Sequence, residues 1–102
     1  MMHRITIQYA VPDDADAFDA HYFSAHVPLV APVPGLRAFS WSKPRPLGGD
    51  PVVYLVAQLD FDDADAMKAA LRSPEMGAAA ADLRTLGVET TMFTGEVVVA
   101  TP

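Results

Sequence analysis

The sequence predicts an α+β domain with the ferredoxin-like order β-α-β-β-α-β, an antiparallel four-stranded sheet with its helices on one face. Three observations carry that prediction. Four segments have the alternating or continuously apolar character of strands. Two helical regions fall between them at the places this order requires. The 102 residues suffice for one core only, so the whole chain, 1–102, reads as one domain without internal repeat or linker.

His3 to Tyr9 sets Ile5, Ile7 and Tyr9 against Arg4, Thr6 and Gln8, the period of a half-buried strand. The acidic run Asp13-Asp14-Ala15-Asp16 then opens a helix expected from about Asp14 to Ala31. Asp13 is its expected N-cap, with Asp16 completing an approximate capping box. Ala15, Tyr22, Phe23, Leu29, Val30 and Val33 fall near one face of this helix, and His26 lies in the middle of it. Tyr22 stands one turn before His26, so phenol and imidazole are expected to be neighbours. His21 is about 140° from His26 round a regular helix, so the two cannot share a metal there. Pro28 offers no N–H to the Ser24 carbonyl, which predicts a kink and a freed acceptor beside His26. Pro32, Pro34 and Gly35 end the helix and turn the chain.

Leu36 to Ser42 alternates again, and Lys43 to Pro51, with its prolines and Gly-Gly pair, reads as a hairpin loop. Val52 to Leu59 is apolar on both faces. Asp60-Phe61-Asp62-Asp63 is expected to end that strand and cap a helix from about Ala64 to Arg72. Ser73 is a fresh N-cap with Pro74 at the first helical position, and the alanine-rich helix it starts runs to about Leu86 and stops at Gly87. Thr90 to Ala100 is the last strand.

Helices on one face leave the other side of the sheet bare, although Val52–Val56 and Val97–Val99 place apolar residues on both sides. The economical cover is a second copy, sheet against sheet, closing a two-chain barrel. The less apolar positions Thr6, Gln8, Ser40, Ser42, Tyr54, Gln58, Thr94 and Glu96 are expected to line a small-ligand cavity.

A net charge of −6 argues against nucleic acid or anionic membrane as a partner. The absence of cysteine removes disulfides and thiol nucleophiles and suits a reducing compartment. With no leader-like apolar segment and no membrane-spanning run, the expected location is the cytoplasm. No nucleophile motif, phosphate loop, dinucleotide fingerprint or metal spacing is present, which points away from the main cofactor-dependent classes, so no cofactor is expected. The five methionines read as packing.

The segment Phe18-Asp19-Ala20-His21-Tyr22-Phe23-Ser24-Ala25-His26-Val27-Pro28-Leu29, followed by Pro34-Gly35-Leu36-Arg37, resembles the EthD family of dimeric α+β-barrel proteins. Tyr9 at the strand end, Ser73-Pro74-Glu75 and Thr94-Gly95-Glu96-Val97 extend the resemblance over nearly the whole chain. The tract from Leu83 to Glu89 departs from it, being shorter than the loop many relatives carry before the last strand. The resemblance implies a sheet-to-sheet homodimer with a cleft beneath the first helix. It also implies kinship with cofactor-free dehydratases, cyclases and oxygenases of aromatic or polyketide-like compounds.

Two readings of His26 follow: a buried histidine satisfied by the Ser24 carbonyl or by Tyr22, or a general acid/base oriented by Tyr22. His21 reads as an exposed or boundary residue. Tyr9, Trp41, Tyr54 and Arg37 are the candidate substrate-binding residues, each with a packing or surface ion-pair alternative. The leading expectation is a homodimeric, cofactor-independent enzyme acting on a small, mostly apolar or aromatic molecule, with His26 and Tyr22 catalytic. Its alternative is a non-catalytic ligand-binding or accessory protein of a catabolic pathway.

Overall fold

The computed structural model describes residues 1–101. Its elements are β1 (His3–Tyr9), α1 (Ala15–His21), a π-helical turn (Tyr22–His26), α2 (Val27–Val30), β2 (Leu36–Ser42), β3 (Leu55–Phe61), α3 (Ala64–Leu71), α4 (Pro74–Leu83), a 3₁₀ turn (Arg84–Leu86) and β4 (Thr90–Glu96). The strands form one antiparallel sheet in the order β2-β3-β1-β4. This is the ferredoxin-like architecture that alternation and element order predicted.

Register decides which residues share a face. Ile5 pairs with Leu59, Ile7 with Ala57 and Met92, and Phe39 with Leu59. Together with Tyr9 these residues lie under the helices. Arg4, Thr6, Gln8, Gln58 and Phe93 alternate onto the opposite, open face. The cavity-lining set expected from polarity is therefore split. Thr6, Gln8, Ser40, Ser42 and Gln58 belong to the open face, while the helix-covered face is the apolar one.

Three boundaries differ from expectation, the two strand ends for a tertiary reason and the helix start for a local one. The central strand β3 runs Leu55–Phe61 rather than Val52 to Leu59, because β1 offers partners only from Tyr9, opposite Leu55, back to His3, opposite Phe61. Asp60 therefore sits inside the strand, buried, and opposite Arg4, whose guanidinium grips it at 2.7 Å and 3.2 Å in a two-pronged bond. β4 stops at Glu96 for the same reason, with one further bond from Val97 N–H to the Met2 carbonyl.

The helix N-cap is Asp14 rather than Asp13; its carboxylate accepts from the Ala17 N–H at 3.0 Å. Asp63 and Ser73 cap α3 and α4 as their sequence positions suggested. Gly87 stops the last helical turn with φ of +71°, and Gly35 turns the chain into β2 with φ of +79°.

The core is built where the helices meet the sheet, around Tyr9, Phe18, Tyr22, Leu55, Phe61 and Met67. Phe18 stacks on Tyr22 with centroids 5.6 Å apart and meets Tyr9 and Tyr54 edge to face at 5.6 Å and 5.5 Å. Among the described residues, no helix is long and apolar enough to cross a membrane.

Candidate functional site

Pro28 acts on the helix as its missing N–H requires, but through widening rather than a simple break. From Tyr22 to His26 the helix takes π geometry, and the Val27 N–H bonds the Tyr22 carbonyl five residues back. The Ser24 hydroxyl donates to the Ala20 carbonyl inside this wide turn. Residues five apart now sit above one another. His21 and His26, about 140° apart on a regular helix, are thereby brought to a common side.

What they share is a carboxylate. Asp82, in the last turn of α4, meets His21 Nε2 with Oδ1 at 2.8 Å and His26 Nδ1 with Oδ2 at 2.9 Å. Burial alone would raise the Asp82 pKa, but the hydrogen bonds from His21 and His26 outweigh it and hold the group below the usual carboxylate range. An ionised carboxylate only accepts, so both facing ring nitrogens carry protons. His26 is thus held with Nδ1–H toward Asp82, and among the described residues no group hydrogen-bonds its Nε2. Exposure falls along the row, from 42% for the His21 side chain to 15% for Asp82 and 3% for His26. Thr85 closes the outer end, its hydroxyl donating to the Asp82 carbonyl at 2.7 Å.

His26 forms part of the wall of a cavity of about 270 Å³ between the helix-facing side of the sheet and the inner faces of α2 and α4. Ile5, Ile7 and Tyr9 from β1, Leu59 from β3 and Met76 and Ala80 from α4 contribute to it. Among the described residues, no aspartate, glutamate, lysine or arginine lines it. Tyr9 and Tyr22 are wholly buried, and among the described residues neither hydroxyl has a hydrogen-bond partner. Burial pushes the Tyr9 phenol far above its usual range, and the nearby Tyr22 and Asp82 add to the effect. Tyr22 is pushed up to about 12 by burial, against a smaller opposing pull from Tyr9. The two phenols influence each other's ionisation without a hydrogen bond of regular geometry between them.

The sequence candidates divide accordingly. Tyr9, Tyr22 and His26 come together at the cavity. Tyr22 packs against the His26 ring, centroids 5.4 Å apart and tilted by 36°, and makes no hydrogen bond to it. The partner of His26 is therefore neither Tyr22 nor the Ser24 carbonyl but Asp82.

Trp41, Tyr54 and Arg37 lie outside the cavity wall. Trp41 is half exposed and packs on Phe23 at 4.7 Å. The Tyr54 hydroxyl donates to Asp19 at 2.9 Å, and Lys43 bridges both groups at 2.6 Å and 3.1 Å, which ties the β2–β3 loop to α1. The hydrogen bond to Asp19, and then that to Tyr54, raise the Lys43 pKa. Arg37 falls at the register shift between Leu36 and Ala38, and its guanidinium pairs with Asp62 on the surface at 3.1 Å. Sequence reasoning missed Asp82. The one available signal was its position as the lone acid between Glu75 and Arg84 in an alanine-rich helix.

Comparison with known proteins agrees with this architecture. Residues 13–86 match the EthD domain. An uncharacterised 11.0 kDa protein from the thcB–thcC intergenic region of Rhodococcus erythropolis is 43% identical over 98 residues, covering 93% of this chain and 95% of that one. The crystal structure of an EthD-family protein from Bacillus halodurans superposes with a TM-score of 0.86 at 31% identity, covering 96% of this chain and 100% of that one.

Two more distant structures share the fold. SnoaB, a cofactor-independent oxygenase from Streptomyces nogalater, has a TM-score of 0.73 at 21% identity, covering 99% of this chain and 97% of that one. A dimeric ferredoxin-like protein of unknown function from Thermobifida fusca has a TM-score of 0.74 at 17% identity, covering 95% of this chain and 92% of that one.

Proposed function

This chain belongs to the EthD family, and from that premise we propose that it is a cofactor-independent enzyme in which His26 removes a proton from a small, mostly apolar substrate. The observation that carries the reading is the 2.9 Å contact between His26 Nδ1 and Asp82 Oδ2: with Nδ1–H donating to the carboxylate, the Nε2 lone pair is left to act as base. In the step common to isomerisation, dehydration and oxygenation, a C–H bond next to a carbonyl breaks. Its electron pair moves onto the carbonyl oxygen as an enolate, and the proton goes to Nε2. The Asp82 carboxylate, 2.9 Å from Nδ1, matches the imidazolium so formed. Tyr22 and Tyr9, neutral because burial opposes their ionisation, pack the cavity wall beside the imidazole. That SnoaB works without a cofactor on the same fold supports the class of chemistry.

Deuterium exchange tests this without knowledge of the natural substrate. In D₂O the protein is expected to exchange the acidic C–H positions of 2-tetralone, a neutral two-ring ketone, and His26→Ala to exchange at the uncatalysed rate while still binding it. Equal rates for the two proteins would remove His26 from the chemistry and leave the ligand-binding alternative.

The same reading includes a homodimer through the open sheet face. Supporting it are Phe93, half exposed on that face, and the dimers formed by a protein of the same fold. Phe93→Asp is expected to convert the protein to a folded monomer in sedimentation velocity at micromolar concentration, since it replaces the half-exposed aromatic ring that a partner sheet would bury with an unpaired charge. A wild-type protein that sediments as a monomer would defeat the proposal.

A further inference from the structure

Gly77 occupies the fourth position of α4, and its N–H bonds the Ser73 carbonyl at 3.1 Å. A glycine there weakens the helix relative to alanine, because it has more backbone freedom to lose on folding. Neither usual reason for a helical glycine applies. Its φ is not among the positive values, which belong to Gly35, Gly49 and Gly87. A Cβ built onto it would meet no heavy atom within 4 Å. What the position supplies is open space.

That space lies at the cavity's edge. At 100° per residue, Met76, Ala80 and Leu83 face the cavity within an arc of about 60°. Gly77 is about 60° beyond Ala80 on one flank, and Ala79 closes the other. Ala79 is buried whereas Gly77 and Ala80 are exposed, so the Gly77 flank is the outer one. Leu71 and Met92, both exposed, also line the cavity and mark its mouth.

The interior restricts what enters. Among the described residues no aspartate, glutamate, lysine or arginine lines it, so a bound anion or cation would surrender its hydration for little return. Its polar side chains are the His26 imidazole and the two phenols of Tyr9 and Tyr22, whose hydroxyls have no hydrogen-bond partner among the described residues. Its volume of about 270 Å³ compares with the roughly 150 Å³ of an apolar cavity that holds benzene.

We propose that Gly77 is the aperture of this cavity, and that aperture and interior together select an uncharged, largely hydrocarbon molecule of one or two rings with a hydrogen-bonding group at the His26 end. The inference rests on the reading of the cavity as the substrate site. It makes Gly77 a specificity-determining residue, acting through the side chain it does not have.

The experiment is calorimetric titration with 2-naphthol, a neutral two-ring probe, and with 2-naphthoate, its anionic counterpart. Wild-type protein is expected to bind 2-naphthol at least tenfold more tightly than 2-naphthoate. Gly77→Leu is expected to lose at least tenfold in 2-naphthol affinity while its Tm stays level or rises by a few degrees, leucine being the better helix former. Gly77→Met, with a more flexible side chain in the same space, is the second variant. Ala78→Leu, exposed one position on and outside the cavity wall, is the control and should bind as wild type does. The aperture is overturned if both Gly77 variants bind like wild type, or if Ala78→Leu loses as much. The selection for neutral ligands is overturned if 2-naphthoate binds equally well. Wild-type protein that binds neither probe removes both this inference and the substrate-site reading, whereas unaltered Gly77 variants beside a binding wild type remove the aperture alone.

Discussion

Asp82→Asn is expected to slow the His26-dependent exchange of 2-tetralone by about 10²-fold or more, with the fold intact. The reasoning is one of donors and acceptors. Asp82 accepts from His21 on one oxygen and from His26 on the other, at 2.8 Å and 2.9 Å. An amide of the same shape offers one acceptor and one donor, so one histidine must turn or change tautomer. Where that histidine is His26, the proton moves to Nε2 and the base is lost. Asp82→Ala removes the ambiguity by freeing both rings, and should be at least as slow. Combining either change with His26→Ala should add little further loss, because groups acting as one unit are not additive. Exchange at the wild-type rate in Asp82→Ala would sink the proposed dyad.

The same carboxylate gives a pH signature. Its folded-state pKa is lowered, so the stability it contributes is present above the unfolded value, about 3.9, and is lost as pH falls through the folded value. Wild-type protein should therefore lose stability more steeply than Asp82→Asn below about pH 4. Hydrogen bonds to a charged group set the scale of that difference at about 1–3 kcal/mol. Parallel acid-denaturation curves for the two proteins would contradict it.

Phe18→Ala is expected to be the most damaging single truncation, at about 3–5 kcal/mol. Its ring is 4% exposed and touches three other aromatic rings: Tyr22 stacked, and Tyr9 and Tyr54 edge-on. A domain of this length has about 5–15 kcal/mol in all, so the variant retains a small margin at best. Its Tm should fall by about 15 °C or more in a thermal melt. The loss also reaches the site, because Tyr22, which backs the His26 ring at 5.4 Å, is stacked on Phe18. A fall of only a few degrees would mean that the aromatic cluster is not what joins the helix to the sheet.

Much of this was legible from local pattern. Alternation over His3 to Tyr9, the carboxylate before α1, Ser73-Pro74 before α4 and Gly87 after its last turn each announce structure within a few residues. His26 stood out because an imidazole in the middle of an apolar helix face needs a partner. The identity of that partner was not legible, since Asp82 is 56 residues away. Nor was the sharing of one carboxylate by His21 and His26, because a regular helix forbids it and only the π turn allows it. Polarity also pointed to the wrong wall for the cavity. Thr6, Gln8 and Gln58 alternate away from the helices, and the cavity is lined by Ile5, Ile7 and Leu59 instead.

By itself the sequence determined the element order, the sheet's two-faced character and the presence of a histidine on an apolar helix face near Pro28, because periodicity and missing N–H groups act over a few neighbouring residues. Only the tertiary structure decided the register of β3, the carboxylate that orients His26 and the wall that encloses the cavity. Each of these depends on how far one element slides or rotates against another, and that is set by packing between segments distant in the chain.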